Sequence, residues 1–149
     1  MDDKDLQILS LVQSNARLTA DTLGEQVGLS PAAVQKRLKK LKETGVIERE
    51  IAVLSPSKLD RELTVIVEVI LERENRQKLD AFKKKMRNTP SVQQCYYTTG
   101  EADFLLILSM RDIKEYEAFT QEHFFEASNI SRFKTSIVMD RVKTSLDVL

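Results

Sequence analysis

The sequence predicts an α+β protein in which a winged helix-turn-helix is followed by a ferredoxin-like βαββαβ domain. Two patterns support this fold class. Residues 1–60 place apolar side chains at helical spacing on both sides of a tight glycine turn, and residues 61–149 alternate strand-like and helix-like segments. A Ser55-Pro56-Ser57 stretch separates the two patterns, so we place the domain boundary near residue 60.

The first sixty residues contain three predicted helices. An amphipathic pattern with leading aspartates predicts the first at residues 3–14, and Thr19 is a suitable N-cap for a short second helix. Gly28 can adopt positive φ and end that second helix. The Ser30-Pro31 pair favours the start of a third helix, which we expect to reach about Thr44.

The outer face of the third helix predicts contact with DNA. Its inner side carries Val34, Leu38 and Leu41, and its outer side begins with small or polar residues. From Lys36 to Lys42 there are five positive charges and no acid, the only strong electrostatic signal that we find in a chain of zero net charge. A basic run alone is more often a solvated helix face. Its place on the predicted recognition helix favours DNA, since small residues admit base edges and lysines reach phosphates.

The segment after this helix predicts the wing. Val46–Leu54 is short, β-branched and partly alternating, which is typical of a strand or hairpin. Arg49 is its natural contact to a phosphate.

The rest of the chain predicts four strands and two helices in the order β-α-β-β-α-β. On the second of these helices we expect Ile113, Tyr116, Thr120 and Phe124 to share one side. The predicted strands cover residues 63–71, 92–99, 102–110 and 130–142, and the predicted helices cover residues 77–87 and 113–125.

The strand at 102–110 is apolar on both faces. Phe104, Leu106 and Leu108 alternate with Leu105 and Ile107. Two helices cover only one face of a sheet, and no segment remains to cover the other, so we expect self-association through the sheet. The alternative is that some of these apolar residues are simply exposed.

The stretch Thr98-Thr99-Gly100-Glu101-Ala102-Asp103 lies between two predicted strands. It is either an ordinary hairpin turn or a site in which backbone amides and two carboxylates hold the carboxylate and the amine of an amino acid.

Composition indicates a soluble globular protein, and we expect a cytoplasmic one. No apolar run is long enough to span a membrane, and no signal peptide is evident. The one cysteine, Cys95, suits a reducing compartment and a structural role. The one histidine, His123, is expected to be a packing or surface residue. We therefore expect no enzymatic activity, no metal and no cofactor, because no nucleophile–base pair, metal spacing or phosphate loop is evident.

At this level of detail the chain resembles a known family, the Lrp/AsnC or feast/famine transcription regulators. The similarity covers nearly the whole chain in order. The motifs in its first part are Asp5-x-x-Ile8-Leu9, Asn15-Ala16-Arg17-Leu18-Thr19, Gly28-Leu29-Ser30-Pro31, Arg37-Leu38-x-x-Leu41 and Gly45-Val46-Ile47. Those in its second part are Cys95-Tyr96-x-x-Thr99-Gly100-x-x-Asp103-Phe104, Thr135-x-Ile137-Val138 and Val142-Lys143.

The resemblance implies a DNA-binding regulator that forms a homodimer through its C-terminal sheets, often assembled into tetramers or octamers, with amino-acid effectors bound between subunits. The residues implied to face double-stranded DNA are Ser30, Ala32, Ala33, Gln35, Lys36, Arg37 and Lys40, beside Arg49 of the wing. The residues implied to face the effector are Thr99, Gly100, Glu101, Asp103, Thr135 and Ser136.

Two departures from the family pattern bear on these expectations. The family loop usually reads Gly-Asp-Tyr-Asp, and Ala102 here replaces the aromatic residue, which removes a wall and opens space for a different effector or for none. Gly24 stands where alanine is usual, and we expect it to cost about 1 kcal/mol of helix stability without affecting function.

Three functions compete at this point. An amino-acid-responsive regulator is favoured over an effector-independent or architectural DNA-binding protein of the same fold. A relative of the haem-precursor decarboxylases would need titratable groups in a large pocket, and the chain offers only His123.

Overall fold

The computed structural model describes residues 1–72, 75–126 and 129–149. The backbone forms two compact units. One consists of Met1–Val53 together with Val142–Leu149, and the other consists of Leu54–Arg141. Within the described part of the chain, no helix combines the length and the apolar character that a membrane span requires.

The first unit contains the three predicted helices, α1 (Asp3–Val12), α2 (Ala20–Val27) and α3 (Pro31–Glu43). Each begins at a side-chain cap, since Asp2, Thr19 and Ser30 accept hydrogen bonds from backbone N–H groups in the first turns. Gly28 ends α2 at φ 69°, as its position predicted. Pro31 opens α3, so the turn between the two helices is confirmed residue by residue.

The core of this unit is small and wholly aliphatic. Ile8 of α1, Leu23 and Val27 of α2, and Val34 of α3 are buried together. Leu38 packs against this cluster, and Leu41 is also buried, which confirms the predicted inner side of α3.

Gly24 has a role that the sequence did not reveal. It is buried in α2, and a Cβ at this position would lie 2.4 Å from the carbonyl oxygen of Leu29 in the turn. The backbone N–H of Leu29 donates back to the carbonyl oxygen of Gly24 at 2.9 Å. The expected cost in helix propensity is therefore accompanied by a packing role, because the missing side chain lets the turn fold back onto α2.

The predicted strand or hairpin at 46–54 is absent. These described residues form no strand, and Ile51, Val53 and Leu54 are 53%, 85% and 66% exposed. A strand needs a hydrogen-bonded neighbour, and no other strand occurs among the described residues of this unit. An ion pair between Lys42 and Glu50 (2.9 Å) ties the segment to α3 instead.

The second unit has the predicted βαββαβ order. Neighbouring strands of its sheet are antiparallel in the order β2-β3-β1-β4, as a ferredoxin-like domain requires. The elements are β1 (Leu63–Leu71), α4 (Arg76–Arg87), β2 (Val92–Tyr97), β3 (Phe104–Met110), α5 (Ile113–Thr120) and β4 (Ile130–Ile137). The last strand is shorter than the predicted 130–142, because its ladder partner β1 begins at Leu63.

Both helices cover the same face of the sheet. The side chains that β1 and β3 direct to that face, from Val65 to Val69 and from Phe104 to Met110, are fully buried. Phe82 and Met86 of α4 join them. On α5 the predicted inner side is only partly confirmed. Ile113 is 55% exposed at the first position of the helix, and Phe119 is buried in the core.

The predicted second helix also changes its hydrogen bonding before it ends. After Thr120 the chain continues as a π-helical turn, Gln121–Phe125. His123 in this turn is buried, packs on the Phe119 ring at 4.5 Å between centroids, and has no hydrogen-bond partner at Nδ1 among the described residues. Burial lowers the pKa of His123, which keeps the imidazole neutral. It is a packing residue, as expected.

The last residues of the chain belong to the first unit. The Gln13 side chain accepts hydrogen bonds from the backbone N–H groups of Val148 (3.0 Å) and Leu149 (3.1 Å). Its amide nitrogen donates to the Leu149 carbonyl oxygen at 2.7 Å. The Gln13 side chain, just after α1, thus binds both the N–H and the carbonyl oxygen of Leu149.

Gly24→Ala tests the close approach of α2 to its turn. The alanine gains about 1 kcal/mol of helix propensity, but its methyl group meets the backbone of Leu29, and overpacking of this kind costs about 1–3 kcal/mol. We expect a lower free energy of unfolding in urea denaturation. Glu25→Ala, an exposed neighbour on the same helix, is the control for propensity alone. A Gly24→Ala protein more stable than the wild type would show that the turn relaxes freely.

Candidate nucleic-acid interface and small-molecule site

The outer face of α3 is open to solvent along its length. Ala32, Gln35, Lys36 and Lys40 are exposed, and Ala33 is half-buried. The Ser30 hydroxyl caps the helix, because it accepts a hydrogen bond from the Ala33 N–H at 3.3 Å. The face therefore begins with the small side chains of Ala32 and Ala33 and carries two long cations further along.

Arg37 differs from the other predicted DNA contacts. Its Nη1 lies 2.8 Å from both carboxylate oxygens of Asp2 and 2.7 Å from a carboxylate oxygen of Asp5. These aspartates form the reciprocal capping box of α1, in which Asp2 and Asp5 each accept the other's backbone N–H. Arg37 thus joins α3 to the N-terminal end of α1, and it orients the recognition helix.

The hydrogen bonds of this cluster lower the pKa of both aspartates. The hydrogen bond from Arg37 is the main cause that lowers the pKa of Asp2. The pKa of Asp5 is lowered first by the backbone N–H of Asp2 and then by Arg37. Both carboxylates remain ionised at neutral pH, so the cluster is a permanent ion pair on the protein surface.

The other cations of α3 divide into two groups. Lys39 lies 3.8 Å from Glu43, and Lys42 pairs with Glu50. Lys36 and Lys40 form no ion pair with any residue that the structure describes, and neither does the exposed Arg49. Of the predicted phosphate contacts, these three are the cations left free.

The stretch from 98 to 103 forms a hairpin connection held by its own groups. Gly100 adopts φ 118°, which other residues rarely reach. The hydroxyl of Thr98 donates to the carbonyl oxygen of Ala102 at 2.7 Å, and the Thr98 N–H donates to the carbonyl oxygen of Asp103 at 2.9 Å. Thr99, Gly100 and Glu101 are left exposed at the tip.

Asp103 is a structural residue in this conformation. Its carboxylate accepts the backbone N–H of Leu71 at 2.8 Å, and its own N–H donates to the carbonyl oxygen of Val69 at 2.9 Å. The carboxylate therefore closes the end of β1 against the connection. Of the two predicted acids in the loop, Glu101 is the one whose charge faces solvent.

The two predicted residues of β4 point to opposite faces of the sheet. Thr135 pairs in register with the buried Val67, and its hydroxyl contacts that of Tyr116 on the helix side. Ser136 pairs with Ile66, whose side chain lies on the face that neither helix covers. The structure therefore separates Thr135 from the other predicted effector contacts.

A cavity of about 260 Å³ lies beside the loop. Its volume lies just below the range of about 300–1,000 Å³ that is usual for ligand sites. Glu101 is the one predicted effector residue that lines this cavity. Ala102, which replaces the aromatic residue of the family pattern, also lines it. The lining residues are Glu68, Ile70, Glu101, Ala102, Arg132, Phe133 and Lys134.

Sequence reasoning missed Glu68, Arg132 and Lys134. The register places Glu68 opposite Lys134 and Ile70 opposite Arg132, so charges from two strands meet at one end of the sheet. Alternation along each predicted strand could have put these charges on the uncovered face. Only the pairing of β1 with β4 brings them together.

This cavity has the chemistry to hold a small zwitterion. Two carboxylates can accept hydrogen bonds from an ammonium group, and a guanidinium and an ammonium can donate to a carboxylate. Ile70 and Ala102 add apolar contact. Among the described residues, no group of histidine, cysteine and acidic side chains is placed to hold a metal ion.

Comparison with protein families divides the chain into two parts along the sequence. Residues 1–48 match the model described as winged helix-turn-helix DNA-binding. Residues 64–148 match the model described as the Lrp/AsnC ligand binding domain.

Individual relatives match along nearly the whole chain. An uncharacterised HTH-type transcriptional regulator of Sinorhizobium fredii is 48% identical over 99% of this chain and 88% of its own length. A leucine-responsive regulatory protein of Haemophilus influenzae is 32% identical, covering 96% and 86%. A transcriptional regulator of Neisseria meningitidis, solved in complex with L-Met, superimposes with a TM-score of 0.94 at 28% identity, covering 100% of this chain and 96% of that one.

Arg37→Gln tests the link between α3 and α1. We expect a lower melting temperature at pH 7 and a rise in the pKa of Asp2 that is larger than that of Asp5, because Arg37 is the main cause only for Asp2. A carboxylate whose folded pKa is depressed stabilises the fold above its unfolded pKa, about 3.9, and loses that effect as the pH falls through the folded value. The difference between variant and wild type should therefore shrink in acid.

The measurements are NMR titration of the two aspartates and thermal unfolding at pH 7 and pH 3. Lys36→Gln removes a neighbouring cation that has no ion pair with the described residues, and it serves as the control. An unchanged melting temperature together with an unchanged Asp2 titration would contradict the link.

Proposed function

The chain belongs to the Lrp/AsnC family of transcription regulators, and from this premise we propose that its DNA binding or its assembly responds to an amino acid. The family consists of transcription regulators rather than enzymes, so a helix-turn-helix unit that binds DNA is combined here with a ligand-binding domain. The alternative of a haem-precursor decarboxylase is set aside on this ground. The chemical class of the effector, the residues that contact it and the assembly are the parts that we propose.

The observation that carries the DNA-binding part of the proposal is the exposed face of α3. It presents small residues first and then Lys36 and Lys40, neither of which is paired with a described residue. Ala32 and Ala33 offer no bidentate contact to a base, so we expect modest sequence specificity with a contribution from DNA shape. Ser30, Gln35 and Arg49 complete the proposed contact surface, and Arg37 contributes by orienting the helix.

We propose residues 1–60 as the DNA-binding part and residues 61–149 as the part that binds the effector and oligomerises. The effector candidates are Thr99, Gly100 and Glu101 at the loop, with Ser136 on the uncovered face. The cavity beside the loop supports an amino acid as the ligand, because it offers both signs of charge. The L-Met bound to the Neisseria meningitidis regulator supports the same class.

We also propose that the protein forms at least a homodimer through its sheet. Ile66 and Ile70 of β1, with Leu105 and Ile107 of β3, alternate with the buried inner residues, and neither helix covers them. Pairing two such faces would remove apolar area from water. Assembly to a tetramer or octamer belongs to the same proposal, as does a cytoplasmic location, where a regulator meets its DNA.

The first test is binding of the full-length protein to the DNA upstream of its own gene and to scrambled DNA, with and without a panel of amino acids. We expect preference for the upstream DNA and a shift in affinity with one or two amino acids. Lys36→Gln should weaken binding and reduce the slope of log K against log salt by about 0.9. Lys114→Gln, an exposed lysine on α5, is the matched control.

Equal binding to both DNAs under every addition would instead favour an architectural role. Preference without any response would favour an effector-independent regulator. In either case the amino-acid-responsive function would be wrong.

A second prediction concerns Ala102. Ala102→Tyr should fill part of the cavity and weaken or change the response to the amino acid identified above, while binding to DNA without effector stays the same. Ala118→Tyr, which adds the same side chain at an exposed position of α5, should leave the response unaltered. Isothermal titration with the amino acid measures this directly, and unchanged affinity in Ala102→Tyr would remove the cavity from the effector site.

A further inference from the structure

Helix α4 carries a concentration of positive charge that the proposed function does not use. Of its twelve residues six are basic and one, Asp80, is acidic. The rest of residues 61–149 holds eight basic and thirteen acidic side chains, so the charge is segregated rather than mixed. We call the six cations the α4 cationic surface, and they are Arg76, Lys78, Lys83, Lys84, Lys85 and Arg87. The sequence alone indicated only the run Lys36–Lys42 as a strong electrostatic signal. Helix α4 is a second one.

Helix stability does not account for this arrangement. Cations in the last turn, such as Lys84 and Arg87, interact favourably with the helix dipole. Arg76 and Lys78, however, lie in the first turn, where no acid is present and where a positive charge opposes the dipole. The helix dipole therefore does not explain the placement of these two cations.

The surface is only partly occupied by contacts within the protein. Lys83 places its Nζ 4.5 Å from the centre of the Tyr97 ring on β2, and Lys85 donates to the carbonyl oxygen of Glu122 at 3.4 Å. Arg76, Lys78, Lys84 and Arg87 are exposed and form no ion pair with any described residue. Among the residues that the structure describes, no acidic side chain is paired with them.

We propose that the α4 cationic surface contacts the phosphate backbone of DNA that extends beyond the site held by α3. This inference rests on the proposed function, because it takes duplex DNA as the ligand of the protein. DNA is the polyanion that the protein already holds, and a second contact on the same molecule benefits from a high effective concentration. Lysines and arginines on an exposed helix surface contact phosphates and carry little base information.

The test compares two duplexes with the full-length protein, one limited to the minimal bound site and one extended on both sides. In Lys84→Gln/Arg87→Gln we expect weaker binding to the extended duplex and a salt slope smaller by about 1.8, since each lost phosphate contact removes about 0.9. Binding to the minimal duplex should stay the same. Lys83 and Lys85 are left intact to preserve their contacts to Tyr97 and Glu122.

Lys58→Gln/Lys114→Gln removes two exposed lysines elsewhere and is the matched control for net charge. A slope that is unchanged on the extended duplex, or that falls equally in the control, overturns the inference. A changed sedimentation coefficient with an unchanged slope also overturns it, because α4 then contacts another protein molecule. Failure of the proposed function is seen separately, as a wild-type protein that does not distinguish upstream from scrambled DNA.

Discussion

The ligand-binding unit depends on the burial of one face of two paired strands. β1 and β3 form the centre of the sheet, and the side chains that they direct towards the helices from Val65 to Val69 and from Phe104 to Met110 are fully buried. Close packing of this layer fixes the register of both strands, because a slip by one residue would exchange the buried face for the open one. The positions of β2, β4 and both helices follow, and so does the meeting of charges from β1 and β4 beside the loop.

In the first unit the equivalent constraint lies at the turn between α2 and α3. Gly24 permits the backbone of Leu29 to approach α2, and Gly28 reverses the chain at positive φ. Arg37 then fixes α3 to the capping box of α1. The orientation of the recognition helix is therefore held by a backbone contact on one side and by ion pairs on the other.

The charged residues of this protein are distributed unevenly along the chain. A net charge of zero conceals two positive helices, α3 and α4, and an acidic remainder of residues 61–149. Within α3 the cations differ in whether they form ion pairs. Arg37 supports the fold, whereas Lys36 and Lys40 face solvent, and these two are the ones available to a phosphate. Net charge alone says little about nucleic-acid binding, because phosphates are met by a local surface.

The sequence by itself determined the local structure and the family. Helix starts at Ser30-Pro31, the glycine end of α2 and the βαββαβ order follow from caps, turns and periodicity, which act over a few residues. Tertiary structure decided what depends on partners distant in the chain. It engaged Arg37 and Asp103 in the fold, separated Thr135 from Ser136, and left residues 46–54 without a strand. It also brought Glu68, Arg132 and Lys134 to one cavity. A side chain's type and spacing predict which helix or strand it occupies, but whether its charge is free or already bonded depends on the packing of elements against one another.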